Sequence, residues 1–154
     1  MKSKTLRSPI KTLAAAAAVA GCIQLAVVGN SHGHGDVTPQ AVDTDGLEAL
    51  GEDFLEENPY RLAGGDQYEL AIKIGSSGYN QNCARCHGLE AISGGVAPDL
   101  RVLEDGILGD EWYLERVRKG YSQNGAYKMP PFQDLLSQEA IWAIRSYIEI
   151  QPKP

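Results

Sequence analysis

Soft metal ligands are scarce in this sequence. Its 154 residues hold three cysteines, three histidines and two methionines, one of them the initiator. A structural zinc site needs four ligands, and so would consume nearly all the thiols and imidazoles at once. Aromatic residues are also few, at 7%, so a large prosthetic group would help such a chain build a core. Cations are outnumbered, fourteen Lys and Arg against twenty Asp and Glu, for a net charge of −6. Lys2, Lys4, Arg7 and Lys11 lie in the first eleven positions with no acid among them; without these, ten cations face twenty acids. An acidic chain lacks the basic face that nucleic acid requires. It suits a protein partner with a positive docking surface, or one met through an uncharged patch. The length allows one domain.

Long apolar runs are missing, with one exception. Leu13 to Val28 is an alanine-rich stretch behind the basic Met1–Lys11 segment, and small and polar residues follow it. This is the pattern of a secretory signal peptide, placed at residues 1–33 with cleavage after Ser31-His32-Gly33 and His34 as the new terminus. The competing reading is a retained membrane anchor, since the run approaches the shorter spanning lengths. Val19-Ala20-Gly21-Cys22 also resembles a lipobox, which would make Cys22 a lipidated first residue, but Ile23 to Val28 stays apolar where a lipoprotein turns polar. Residues 34–65 read as an N-terminal extension and 66–154 as the main domain.

The remaining two cysteines stand together, in Cys83-Ala84-Arg85-Cys86-His87. Two thiols, two spacers and an adjacent imidazole form the attachment signature of a c-type haem: the thiols add across the vinyl groups as thioethers, and His87 reaches the proximal face of the iron. A redox Cys-x-x-Cys pair would also fit an oxidising compartment, but no strand pattern surrounds this one. A zinc clip would have to recruit His34 as its fourth ligand, since the carboxylates are not suitably spaced. Met129, 42 positions after His87, is the sole thioether left after export. It is followed by Pro130-Pro131, which stiffen the backbone that would aim it. A lone methionine is ordinarily core filler; here it is the candidate distal ligand. His/Met ligation fills both axial positions and suits outer-sphere electron transfer. Pro98 is the candidate carbonyl acceptor for the second His87 nitrogen, since ligating histidines are fixed this way and proline has a locked φ. Arg101 is a candidate propionate contact. The rival reading is a haem enzyme or gas sensor with a displaceable sixth ligand, but no distal histidine is available to it. A haem subunit held permanently in a larger complex is a further rival.

Helical periodicity surrounds these residues. Tyr68, Ala71, Ile72, Gly75 and Tyr79 form one stripe over 66–81. Gly75 on that stripe predicts close approach of another helix, the apolar one at 140–150 that Ser137 caps. A third helix is expected over 110–119, stopped by Gly120. Leu47, Leu50, Phe54 and Leu55 predict a short helix within 46–57, ended by Asn58-Pro59. Asp36, Asp43 and Asp45 read as a solvated acidic arm more readily than as calcium ligands.

Gly75, Tyr79, Cys83-x-x-Cys86-His87, Pro98, Met129 and Tyr147 together resemble the class I cytochrome c family, over about Asp66 to Ile150. That resemblance implies an all-α class I cytochrome c fold, with three to five helices wrapped around one covalent haem c and an N-terminal extension. Asn58-Pro59-Tyr60-Arg61, the run Tyr79 to Glu90, Ala97-Pro98-Asp99-Leu100-Arg101 and the start His34 to Gln40 are similar to periplasmic cytochromes c that accept electrons from PQQ-dependent (quinoprotein) alcohol dehydrogenases. It implies a monomeric periplasmic one-electron carrier and no enzyme. Its donor would be such a dehydrogenase and its acceptor a terminal oxidase or another cytochrome, with no nucleic acid and no small-molecule substrate.

Overall fold

The computed structural model describes residues 39–154. The expected signal peptide, Cys22 and His34 lie outside the described residues.

Two helices form the frame. Helix α2 (Gly65–Asn82) begins with Asp66 in its first turn, where the helix dipole favours an acid, and buries Ala71, Gly75, Gly78, Tyr79 and Asn82. Helix α5 (Gln138–Glu149) is capped by Ser137, whose hydroxyl accepts from Ala140 N at 3.2 Å. It is buried along nearly its whole length, including Ile141, Trp142, Ile144 and Ile148. The two cross where α2 has no side chain. A Cβ added at Gly75 would stand 1.8 Å from the Ala143 carbonyl oxygen and 2.4 Å from its carbon, so backbone meets backbone there. One turn on, the Tyr79 and Tyr147 rings lie 5.3 Å apart, a favourable aromatic spacing.

Three short or peripheral helices complete the set: α1 (Pro59–Ala63), α3 (Ala84–His87) and α4 (Ile107–Lys119). Helix α4 ends at Gly120, whose φ of 71° few other residues adopt, with Arg116, Arg118 and Lys119 in its last turn. Between α4 and α5 the chain forms a hairpin that periodicity did not predict. Strand β1 (Tyr121–Gln123) pairs antiparallel with β2 (Ala126–Met129), Tyr121 opposite Met129. Asn124 (φ 53°) and Gly125 (φ 77°) make the turn, the Asn-Gly pair that two-residue hairpins favour.

The helix expected within 46–57 is absent. Leu47, Leu50 and Phe54 do pack against the core, but from an irregular chain with Gly46 (φ 90°) and Gly51 (φ 83°) left-handed. Its amides are satisfied by distant side chains rather than by a helix. Leu50 N donates to Glu139 Oε1 at 2.9 Å and Leu55 N to Gln138 Oε1 at 2.7 Å, both on α5. Asn58-Pro59, expected to end a helix, starts one: Asn58 Oδ1 accepts from Tyr60 N and Pro59 stands at a first-turn position, where its missing N–H costs nothing.

Asn58 and Arg61 also reach a buried cluster of charge. Asp110 Oδ2 accepts from Asn58 N (2.9 Å) and Arg61 Nη2 (2.7 Å), and its other oxygen from Arg145 Nε (2.7 Å). Glu149 takes the second arm of Arg61 and lies 3.4 Å from Arg145 Nη2. Burial alone would raise the Asp110 pKa; the donors from Arg61, Arg145 and Asn58 outweigh it, and the carboxyl is held below its ordinary value. At Glu149 burial wins and the pKa is raised.

Candidate haem site

Cys83 and Cys86 stand at the junction of α2 and α3. The α2 helix ends with the Cys83 amide donating to Tyr79 O (2.7 Å), and α3 opens with Cys86 N and His87 N both donating to Cys83 O (3.1 and 2.9 Å). This single turn puts the two sulfurs and the imidazole on one short arc. Both thiols are free and half-buried. Burial, then the neighbouring Cys86, pushes Cys83 up to about 12, so the thiol stays neutral at ordinary pH. Beyond the motif the chain turns sharply away. Gly88 has φ 81°, and a Cβ there would meet Ile92 O at 1.8 Å; Tyr79 Oη donates to Gly88 O at 2.8 Å and holds the turn against the frame.

His87 Nδ1 lies 2.8 Å from the Pro98 carbonyl oxygen. A carbonyl can only accept, so the proton is on Nδ1, and Nε2 keeps a free lone pair. Burial lowers the pKa of the ring against the opposing pull of Pro98, which keeps it neutral, the form that binds metal.

Met129 is positioned by the hairpin and by the end of α4. It ends β2, and its backbone is pressed onto the end of α4: a Cβ at Gly120 would come within 2.4 Å of Met129 O. Phe132 N then donates to Val117 O at 2.9 Å, so Pro130 and Pro131 span a segment fixed at both ends.

These elements surround a cavity of about 650 Å³, within the roughly 300–1,000 Å³ range of cofactor pockets. Cys83, Cys86, His87, Pro98 and Met129 all line it. Arg101 does not; its guanidinium lies on Asp99, 2.8 Å away. Leu100, Val117, Phe132 and Ile148 complete the wall, with Trp112 and Tyr113 from the α4 face. Among the described residues, Arg116 and Lys128 are the cations on the wall, and no carboxylate lines it. The Arg116 guanidinium is held 5.4 Å from the Trp112 ring centre and 5.1 Å from that of Tyr121, and among the described residues it forms no ion pair. The four-residue spacing of Trp112 and Arg116 on a helix was a signal available in the sequence. The wall fits a haem: free thiols for the vinyl groups, a neutral imidazole with an open nitrogen, a thioether, apolar sides, and only positive charge for two propionates.

The family described as cytochrome c oxidase, cbb3-type, subunit III matches residues 70–148. The chain is also 62% identical over 116 residues to cytochrome c550 of Pseudomonas aeruginosa, covering 75% of this chain and 79% of that one. The chain belongs to the cytochrome c family. This cytochrome is therefore an electron carrier that holds covalent haem c and works with redox partners. Weaker similarity extends to larger proteins. The quinohemoprotein alcohol dehydrogenase ADH-IIG of Pseudomonas putida is 35% identical over 78 residues, 51% of this chain and 10% of that protein. The dehydrogenase subunit of the quinone alcohol dehydrogenase of Gluconobacter oxydans is 39% identical over 80 residues, 52% and 10% respectively. No solved structure matches the chain.

Proposed function

We propose that this cytochrome is a periplasmic one-electron carrier with His87 and Met129 as its axial ligands, and that its electron donor is a PQQ-dependent alcohol dehydrogenase. The observation that carries the ligand set is the convergence of Cys83, Cys86, His87 and Met129 on one cavity. When bound, haem c supplies a one-electron iron couple. The chain does the rest. Cys83 and Cys86 hold the group by thioethers. Pro98 fixes the His87 ring and makes Nε2 a better donor. Arg116 and Lys128 offer positive charge to the propionates, and Leu100, Val117, Phe132 and Ile148 keep water from the iron. A thioether opposite the imidazole favours the reduced state and leaves no open position for oxygen chemistry.

The donor assignment rests on similarity to proteins named quinohemoprotein alcohol dehydrogenase and alcohol dehydrogenase (quinone). Export by the segment at 1–33 would put the carrier in the periplasm, and a terminal oxidase or another cytochrome would take the electron onward. Stopped-flow mixing of the oxidised cytochrome with substrate-reduced quinoprotein alcohol dehydrogenases tests the donor. Fast haem reduction by at least one is expected. Failure with all of them, beside prompt reduction by a different protein donor, would remove the dehydrogenase and keep the carrier.

Met129→Ala is the test of the distal ligand. Loss of the thioether is expected to lower the reduction potential and to let carbon monoxide bind the reduced form, which the native protein resists. An unchanged potential with no carbon monoxide band would show that Met129 is not a ligand.

A further inference from the structure

The Pro98 carbonyl that meets His87 belongs to a loop whose shape depends on one carboxylate. Asp99 Oδ1 accepts from Arg101 N and Arg101 Nε, both at 3.0 Å, and Oδ2 from Arg101 Nη2 at 2.8 Å and Ser93 N at 3.4 Å. The Ser93 hydroxyl in turn bonds Ala97 O, the residue before Pro98, and accepts from Gly95 N at 3.0 Å. The remaining Arg101 nitrogen, Nη1, donates to Pro152 O near the C-terminus at 3.3 Å. Both side chains are mostly shielded, 15% and 24% exposed. A two-toothed carboxylate–guanidinium pair is directional as well as strong. This one closes the loop at the residue after Pro98 and ties it to the end of the chain.

We infer that Asp99 and Arg101 are positioning residues for the proximal ligand: their ion pair holds the Pro98 carbonyl on His87 Nδ1 and thereby sets the reduction potential of the carrier. The inference rests on the reading of His87 as an axial ligand. A firm hydrogen bond from Nδ1–H to a carbonyl raises electron density at Nε2 and favours the oxidised iron; a slack one favours the reduced iron. Anything that loosens the loop therefore raises the potential.

Charge alone predicts a different set of signs, which makes the idea separable. Asp99→Asn loosens the loop and removes a negative charge, so both accounts predict a rise. Arg101→Gln removes a positive charge, which by itself lowers the potential, whereas loss of the clamp raises it. Arg101→Lys keeps the charge and loses the fork, so charge alone predicts no change and the clamp predicts a rise.

The experiment is a redox titration of the native holoprotein and these three variants, with proton exchange of the His87 Nδ1–H followed by NMR in the reduced state. The expected result is a raised potential in all three. Exchange should be faster by about fivefold or more in each, the scale of one lost hydrogen bond. A lowered potential in Arg101→Gln with native exchange rates would overturn the clamp and return Arg101 to a purely electrostatic role such as a propionate contact. Unchanged potentials in Arg101→Gln and Arg101→Lys would overturn it too. If Asp99→Asn does not assemble, the two arginine variants decide alone. A wild-type oxidised spectrum in which the His87 ring is not shifted by the iron would instead overturn the axial assignment, and the clamp with it.

Discussion

Cytochrome carrying alanine at both Cys83 and Cys86 is expected to contain no covalent haem. Each sulfur forms one thioether, and the mature chain offers no third thiol to take over, since the remaining cysteine, Cys22, lies in the segment expected to be removed. Acid–acetone extraction should strip all haem from the variant and none from the native protein, and the intact mass should be that of the bare polypeptide. The effect extends to folding. The cavity measures about 650 Å³, and emptied cavities cost about 24 cal/mol per Å³ where the walls do not collapse. The double variant should therefore accumulate poorly as well as lack its absorption. Recovery of normal covalent holoprotein would end the assignment of these two residues.

Gly75→Ala should be the most damaging single methyl addition in the frame. The new Cβ would fall 1.8 Å from Ala143 O and 2.9 Å from Ile144 N. Those atoms are backbone within α5 and cannot rotate aside, so the two helices must separate. Alanine recovers about 1 kcal/mol of helix propensity relative to glycine. The overpacking penalty runs to about 3 kcal/mol or more for a rigid neighbour. The net expectation is a loss of roughly 2–3 kcal/mol, seen as a melting temperature lower by about 10 °C. Gly94→Ala is the matched control: nothing lies within 4 Å of its added Cβ, and its stability should stay within about 0.5 kcal/mol of native. If the two variants melt alike, the crossing is looser than described.

The contrast between these residues and others explains how much was readable beforehand. Cys83, Cys86 and His87 announce their chemistry because the reactive groups are contiguous. Gly75 was readable because a glycine on an apolar stripe is costly unless something approaches it. The segment at 46–57 was not. Leu47, Leu50, Phe54 and Leu55 have helical spacing, yet an irregular arm can bury the same residues when distant side chains cap its amides. Glu139 and Gln138, which do so, lie more than eighty positions away. The hairpin was missed for a different reason. Its strands hold three and four residues and are exposed throughout except at Met129, so they carry no alternation, and Asn124-Gly125 was its one local signal. Arg116 was missed because its charge says nothing of which cavity it lines until Trp112 and Tyr121 are seen beside it.

The buried polar cluster of Asn58, Arg61, Asp110, Arg145 and Glu149 also decides how the chain can be shortened. A truncation starting at Asp66 would keep every residue of the haem cavity and look like a tidy minimal carrier. It would also take away one of the two guanidiniums and the amide that Asp110 accepts from, leaving Arg145 to balance two shielded carboxylates alone.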